Sequence, residues 1–305
     1  MKSRDTEPAE ESYVANGPPG MQQPRQWRTR WARFGELFPF FGLAFTLGVV
    51  LVGVLDIGAI EDIATQRDLN RRLLPPGTEN HLLGTDGLGR DVLARVVVGA
   101  RYTFGIAALA TVIAGTIGIS LGLVAAVGPR WLRSAVGRLV DLTIAFPSLV
   151  LAIVMVGVLG RGNITLAIAL GLFYWPVFAR VTLAQAQGIT VLQYVKAARL
   201  FGVSEKRIVW SHILPGIAPT VSVVVAFQFA SLLISTAGLS FLGLGPPIGV
   251  PEWGAMLAEA RAELSRAPWL LVGPGVAIAW TVVLANLLGD ELARRGRSEK
   301  ASINT

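Results

Sequence analysis

The chain has 305 residues, 52% of them hydrophobic and only 15% charged, with a mean hydropathy of +0.56 and a net charge of +7. Soluble domains carry about 25% charged residues, so these values exclude a disordered chain, a collagen, a coiled coil and an ordinary soluble enzyme. The absence of cysteine excludes a disulfide scaffold, a thiolate metal site and a thiol nucleophile. His81 and His212 lie far apart in the chain, which argues against a His-rich metal site.

Residues 1–36 are polar and include Pro18, Pro19, Gly20 and Pro24. They read as a flexible cytoplasmic tail, too long and too polar to be the start of a cleaved signal peptide. A bilayer core about 30 Å thick needs roughly 20 apolar helical residues. Six uncharged stretches meet that need, at 37–55, 102–129, 142–160, 162–179, within 208–251, and at 267–289. The fold class expected is therefore all-α: a polytopic membrane protein with six transmembrane helices.

The basic residues orient it. With the first residues inside, the segments 1–36, 129–141, 180–216 and 289–305 carry 18 Lys and Arg. The outer segments 56–101, 161–163 and 241–268 carry 9. Acidic residues divide equally, so topology accounts for the whole positive excess and both termini are expected in the cytoplasm. No nucleic-acid partner is needed. The expected division is a tail at 1–36, a first helix plus outer segment at 37–101, a five-helix core at 102–290 with a cytoplasmic loop at 185–215, and a tail at 291–305.

In the outer segment, Gly84-Thr85-Asp86 begins a turn that leads through Gly89, Arg90 and Asp91 into a helix. Asp86–Arg90 and Asp91–Arg95 have the i,i+4 spacing of ion pairs. Val92, Val96 and Val97 form an apolar stripe expected to lie along the membrane. A phosphate loop is disfavoured, since no Walker lysine comes after it and no strand precedes it. In the second span, Gly115, Gly118 and Gly122 include a GxxxG, read as helix packing.

The loop at 185–215 is the most informative stretch. Tyr194 to Leu200 suits a short helix with a small face at Ala197 and Ala198, beside Lys196 and Arg199. Gly202 suits the positive φ of a helix end, and Ser204-Glu205 the cap and first turn of the next helix. Pro215 is expected to break the chain before the fifth span. Such a helix–turn–helix could dock on a soluble partner or lie on the lipid surface, and local physics leaves both open.

Ala197, Ala198 and Gly202, with Leu214-Pro215, resemble the "EAA" loop of ABC-importer permeases, although Lys196 stands where that family usually has Glu. Gly84-Thr85-Asp86 with Gly89-Arg90-Asp91 is similar to the C-type subunit of the dipeptide, oligopeptide and nickel importers. So are 141–148, 251–257 and 286–290. The family's usual Arg-Asp-x-x-Asp-Pro tail is replaced here by Glu291-Leu-Ala-Arg-Arg-Gly-Arg.

This resemblance implies a non-catalytic permease of the cell (inner or plasma) membrane, without cofactor or metal, importing peptides or, alternatively, nickel or another small solute. It also implies two ATPase subunits docked on the 194–207 loop, a second related permease, and an extracytoplasmic substrate-binding protein. The chain has no GxxxxGK[S/T] of its own. Gln228, Ser231, Ser235 and Thr236 on the fifth span are candidates to line the pathway, or to hydrogen-bond neighbouring helices. The rival class is an ATP-independent carrier or channel. It is disfavoured because no Asp, Glu, Lys or Arg lies mid-span. A membrane-embedded enzyme lacks clustered catalytic residues.

Overall fold

The computed structural model describes residues 57–303 apart from 79, 80 and 248. The tail at 1–36 and the predicted first span at 37–55 lie outside the described residues. Those described are all-helical, without a strand, and hold only isolated bridges at Thr78–His81 and Thr85–Asp91.

Helix α1, Ile57–Thr65, is followed by a 3-10 turn at Leu69–Arg71 and an irregular loop. Helix α2, Val92–Val127, then runs unbroken for 36 residues, roughly 54 Å at 1.5 Å per residue. It begins ten residues before the predicted second span. Two valines of the predicted stripe are packed inside the protein. Val92 and Val96 pack against Trp253, Met256 and Leu270. The reason is local: the Asp91 carboxylate caps the helix at the Ala94 N–H, and no proline interrupts the chain from there to Val127.

The predicted third span is split. Helix α3, Arg130–Ala145, meets α4, Ser148–Leu159, at 82°. Pro147 has no N–H to continue α3, and it restricts Phe146 to extended backbone, φ −105° and ψ 139°. At 12 residues, α4 is about 18 Å long, too short to cross alone.

Helix α5, Asn163–Thr190, continues well past Arg180. A hook comes next, made of α6, Gln193–Leu200, and α7, Glu205–Ile208. Through a π turn at Val209–Ile213 the chain enters α8, Leu214–Phe241. Pro215 thus causes no break. It falls in the first turn of α8, directly after the wide π turn, where a missing N–H is tolerated. Helix α9, Trp253–Ala262, a 3-10 turn at Pro268–Leu271, and α10, Val272–Ile303, complete the described residues.

Helices α2 and α5 form the central pair. A Cβ on Gly118 would lie 2.4 Å from the Trp175 carbonyl oxygen, and one on Gly122 2.8 Å from that of Ala179. The GxxxG is a packing device, as its spacing suggests. Four described helices are long and apolar enough to cross a membrane, or five if α3 and α4 count as one bent span. Only 22–50% of each of the four unbroken apolar windows is buried, so much apolar surface faces outward.

Candidate functional site

The candidate features lie at the two ends of α2. At its C-terminal end, Val195, Ile208, Ile213 and Ile217 pack with Ala126 of α2 and Ala186 of α5. This cluster ties the hook to the feet of α2, α5 and α8. Gly202 has φ +77°, the left-handed conformation expected of it. Its N–H donates to the Arg199 carbonyl, and the Val203 N–H to that of Ala198. Arg199 then braces the turn, its Nε donating to Glu205 Oε1 at 2.7 Å and its Nη2 to Oε2 at 3.2 Å. Tyr194 stacks on His212 at 5.7 Å. Ser204 occupies the cap position of α7 but makes no side-chain cap bond there.

Lys196 is exposed, Ala197 and Ala198 are half-buried, and Leu214 and Pro215 sit at the start of α8. Sequence reasoning missed the tip. Leu200 and Phe201 are 88% and 87% exposed, side by side at the turn. Two adjacent large apolar residues just before a turn glycine were the available signal.

At the N-terminal end, the loop at 84–91 and the start of α9 form one structure. Asp86 accepts from the N–H groups of Leu88 and Arg90, from Arg90 Nε at 2.7 Å, and from Arg95 Nη1 at 2.5 Å. Glu259 of α9 accepts from Arg90 Nη2 and Arg95 Nη1, both at 2.7 Å. Both arginines are buried. Burial pushes the Asp86 carboxyl up, but the Arg95 and Arg90 charges and the two N–H groups outweigh it and hold it below the ordinary range.

The i,i+4 pair Asp86–Arg90 forms. The pair Asp91–Arg95 does not. Asp91 turns back to cap α2 and to meet His81 Nδ1 at 2.6 Å, while Arg95 turns inward to the buried carboxylates. Thr85 is wholly buried and braces the loop, accepting from the Leu74 N–H and donating to the Arg71 carbonyl. Gly84 and Gly89 both have φ +75°, and a Cβ on Gly89 would strike the Asp68 carbonyl. These motif residues therefore build the loop. Sequence reasoning missed the roles of Glu252 and Glu259, whose partners on α2 and in the loop before it, Thr103, Arg90 and Arg95, lie more than 140 residues away.

Of the four pathway candidates, Ser231 is exposed and donates to the Phe227 carbonyl. Gln228, Ser235 and Thr236 are buried within this subunit, and Ser235 meets Tyr174 Oη at 2.7 Å.

Comparison with known proteins places this architecture. Residues 118–295 match the family model described as the binding-protein-dependent transport system inner membrane component. The chain is 38% identical over 285 residues to the glutathione transport system permease protein GsiD of Escherichia coli O157:H7, covering 92% of this chain and 93% of that protein. It is 31% identical over 286 residues to the dipeptide transport system permease protein DppC of Alkalihalophilus pseudofirmus, covering 93% and 91%. Among solved structures, a chain of the MetNI methionine ABC transporter in an inward-facing conformation is similar in fold, with a TM-score of 0.55 at 18% identity. That match covers 66% of this chain and 95% of that one.

Proposed function

This chain belongs to the family of binding-protein-dependent transport inner membrane components, the permeases of ABC importers, and we propose that the solute it passes is a small peptide. The names of its relatives, glutathione and dipeptide permeases, favour a peptide over nickel. The proposed topology has six spans with both termini in the cytoplasm: 37–55, α2, the α3–α4 pair, α5, α8 and α10. The membrane is the inner or plasma membrane. The chain itself is non-catalytic, and ATP is hydrolysed by two partner ATPases. A second related permease completes the pathway, and an extracytoplasmic binding protein delivers the solute to the loops at 56–101 and 241–268.

The observation that carries the coupling role is the hook. Its tip offers exposed Leu200 and Phe201 on a braced turn, and its base packs against three long helices at once. A lipid-lying helix would need no such base. Closure of the ATPases would press on Leu200 and Phe201. Because the base is packed, the push would reach α2, α5 and α8 together, as a switch between inward- and outward-open states requires. Lys196, Ala197, Ala198, Arg199 and Gly202 would shape the docked surface, with Leu214 and Pro215 at its hinge. Ser231, exposed on α8, is the best placed of the four pathway candidates.

Purification of the tagged chain in mild detergent tests this reading. A stoichiometric P-loop ATPase and a second permease are expected. Deleting 197–202 should then abolish ATP-driven peptide uptake while the chain still inserts. A homo-oligomer without ATPase, or normal uptake by the deletion, overturns it.

A further inference from the structure

An open groove of about 370 Å³ lies between the two arms of the Pro147 bend and the central pair. Leu139 and Leu142 of α3, Leu151 of α4, Ile117 and Leu121 of α2, and Phe173 of α5 line it. Leu139 and Leu142 are 47% and 63% exposed, so the walls are accessible. Thr143 also lines the groove, but its hydroxyl is spent on the Leu139 carbonyl at 2.8 Å. The groove therefore offers a polar solute nothing to bind, and it fits an apolar chain.

Charged residues border it through α3. Arg138 is adjacent to Leu139 and one helical turn before Leu142, which puts it on the groove's edge. It is exposed and makes no ion pair among the described residues. Asp141, adjacent to Leu142, meets Arg180 of α5 at 2.7 Å, and both side chains are more than half exposed. Two guanidiniums and one carboxylate at the edge leave one positive charge in excess.

The depth of this edge is set by α5. From Asn163 to Ala179 that helix carries no charge, and Arg180 is its first charged residue. The edge thus sits where an apolar stretch of helix gives way to charge, as at a membrane–water boundary. An apolar groove beside exposed arginine matches an amphiphile, with a tail in the groove and an anion at the edge. Arginine's planar fork pairs with phosphate oxygens, and a guanidinium has five N–H donors to share.

We propose that this groove holds one acyl chain of an anionic phospholipid, with its phosphate drawn to Arg138 and to the remaining donors of Arg180. Its assignment to the cytoplasmic leaflet rests on the topology proposed above. The tail would touch both arms of the bend at once.

The test places the complete importer in nanodiscs holding phosphatidylglycerol and phosphatidylcholine in equal amounts. One of the two carries a photoreactive diazirine on its acyl chain, and the labelled residues are mapped by mass spectrometry. Phosphatidylglycerol should label 139–151 about fivefold more than phosphatidylcholine, the factor expected of one excess arginine charge near an anionic headgroup. Arg138→Gln should remove most of that preference without changing the melting temperature or the phosphatidylcholine label. Leu142→Trp fills the groove, keeps Arg138, and should reduce labelling by both lipids. Equal labelling by the two lipids overturns the proposal, as does a preference unchanged by Arg138→Gln. Absence of lipid label, with 139–151 protected by the second permease, also overturns it and makes the groove a subunit interface. A separate arm tests the topology. Arg138→Cys supplies the chain's single thiol, which should react with an impermeant maleimide from the cytoplasmic face. Reaction from the outer face, with the wild-type lipid preference intact, upholds the site and overturns the topology. Reaction from the cytoplasmic face without any lipid preference does the reverse.

Discussion

Thr103 on α2 and Glu252 at the start of α9 meet 3.2 Å apart, the threonine hydroxyl donating to the carboxylate across 149 positions of sequence. Glu252 is wholly buried and also accepts from the N–H groups of Gly254 and Ala255, capping α9. The Trp253 N–H donates to Thr103 in turn. One carboxylate thus starts a helix and locks it to the central pair.

Replacing Glu252 separates these roles. Glu252→Ala leaves two helix N–H groups without acceptors, at about 1–3 kcal/mol each. Glu252→Gln keeps an acceptor. The alanine variant should therefore melt well below the wild type in detergent and the glutamine variant only slightly below it. Equal melting of the two variants would contradict the capping role.

Glu252 and Asp86 should respond to pH in opposite senses. Burial raises Glu252 against the opposing hydrogen bonds of Gly254, Ala255 and Thr103. Its contribution is therefore full at low pH and declines as pH rises through the raised value. Asp86 is held low, so its contribution is present above the ordinary carboxylate range and is lost as pH falls through the lowered value. Melting curves against pH should show less acid sensitivity in Asp86→Asn than in the wild type.

The α2–α5 contact should tolerate no side chain at Gly118 or Gly122. Gly118→Val places atoms against the Trp175 carbonyl and the Phe178 side chain, a clash of the overpacking kind that costs about 1–3 kcal/mol or more. Gly137→Val has open space and should be far milder. Similar losses of folded yield from both would show that the close approach is not the cause.

The hook should fail by shape and by chemistry independently. Gly202→Val must hold φ near +77° with a branched side chain, at about 1–2 kcal/mol, and should reduce ATPase coupling. Leu200→Asp with Phe201→Asp alters only exposed atoms, so insertion and melting should be unchanged while ATPase association is lost. Lys196→Glu should weaken the complex if an acidic partner group faces it. Retained association in the double aspartate variant would remove these residues from the docking surface.

Much of the molecule was legible because hydropathy and turn chemistry are local. Most of each apolar run at 102–129, 162–179 and 267–289 falls within one long helix. Gly202 took the positive φ its position required. The failures share a cause. Asp91 and Arg95 have ideal spacing for a pair on a helix, but Asp91 precedes the first turn and caps it. Pro215 reads as a break only if the preceding turn is assumed to be ordinary, and a π turn receives it. The bend at Pro147 was available from Pro chemistry, yet the uncharged run across it read as one span.

The sequence by itself determined that the chain is a helical membrane protein with an ordered loop, because long uncharged runs and the positions of Gly, Pro and basic residues act over a few turns at most. Only the tertiary structure decided that the loop at 84–91 and α9 share one buried charge cluster. The partners there are 164 to 169 positions apart, and their pairing depends on which helices pack together. The same holds for the groove at the Pro147 bend, whose walls come from α2, α3, α4 and α5. Which helices lie side by side is set by three-dimensional packing, and no periodicity in the chain encodes it.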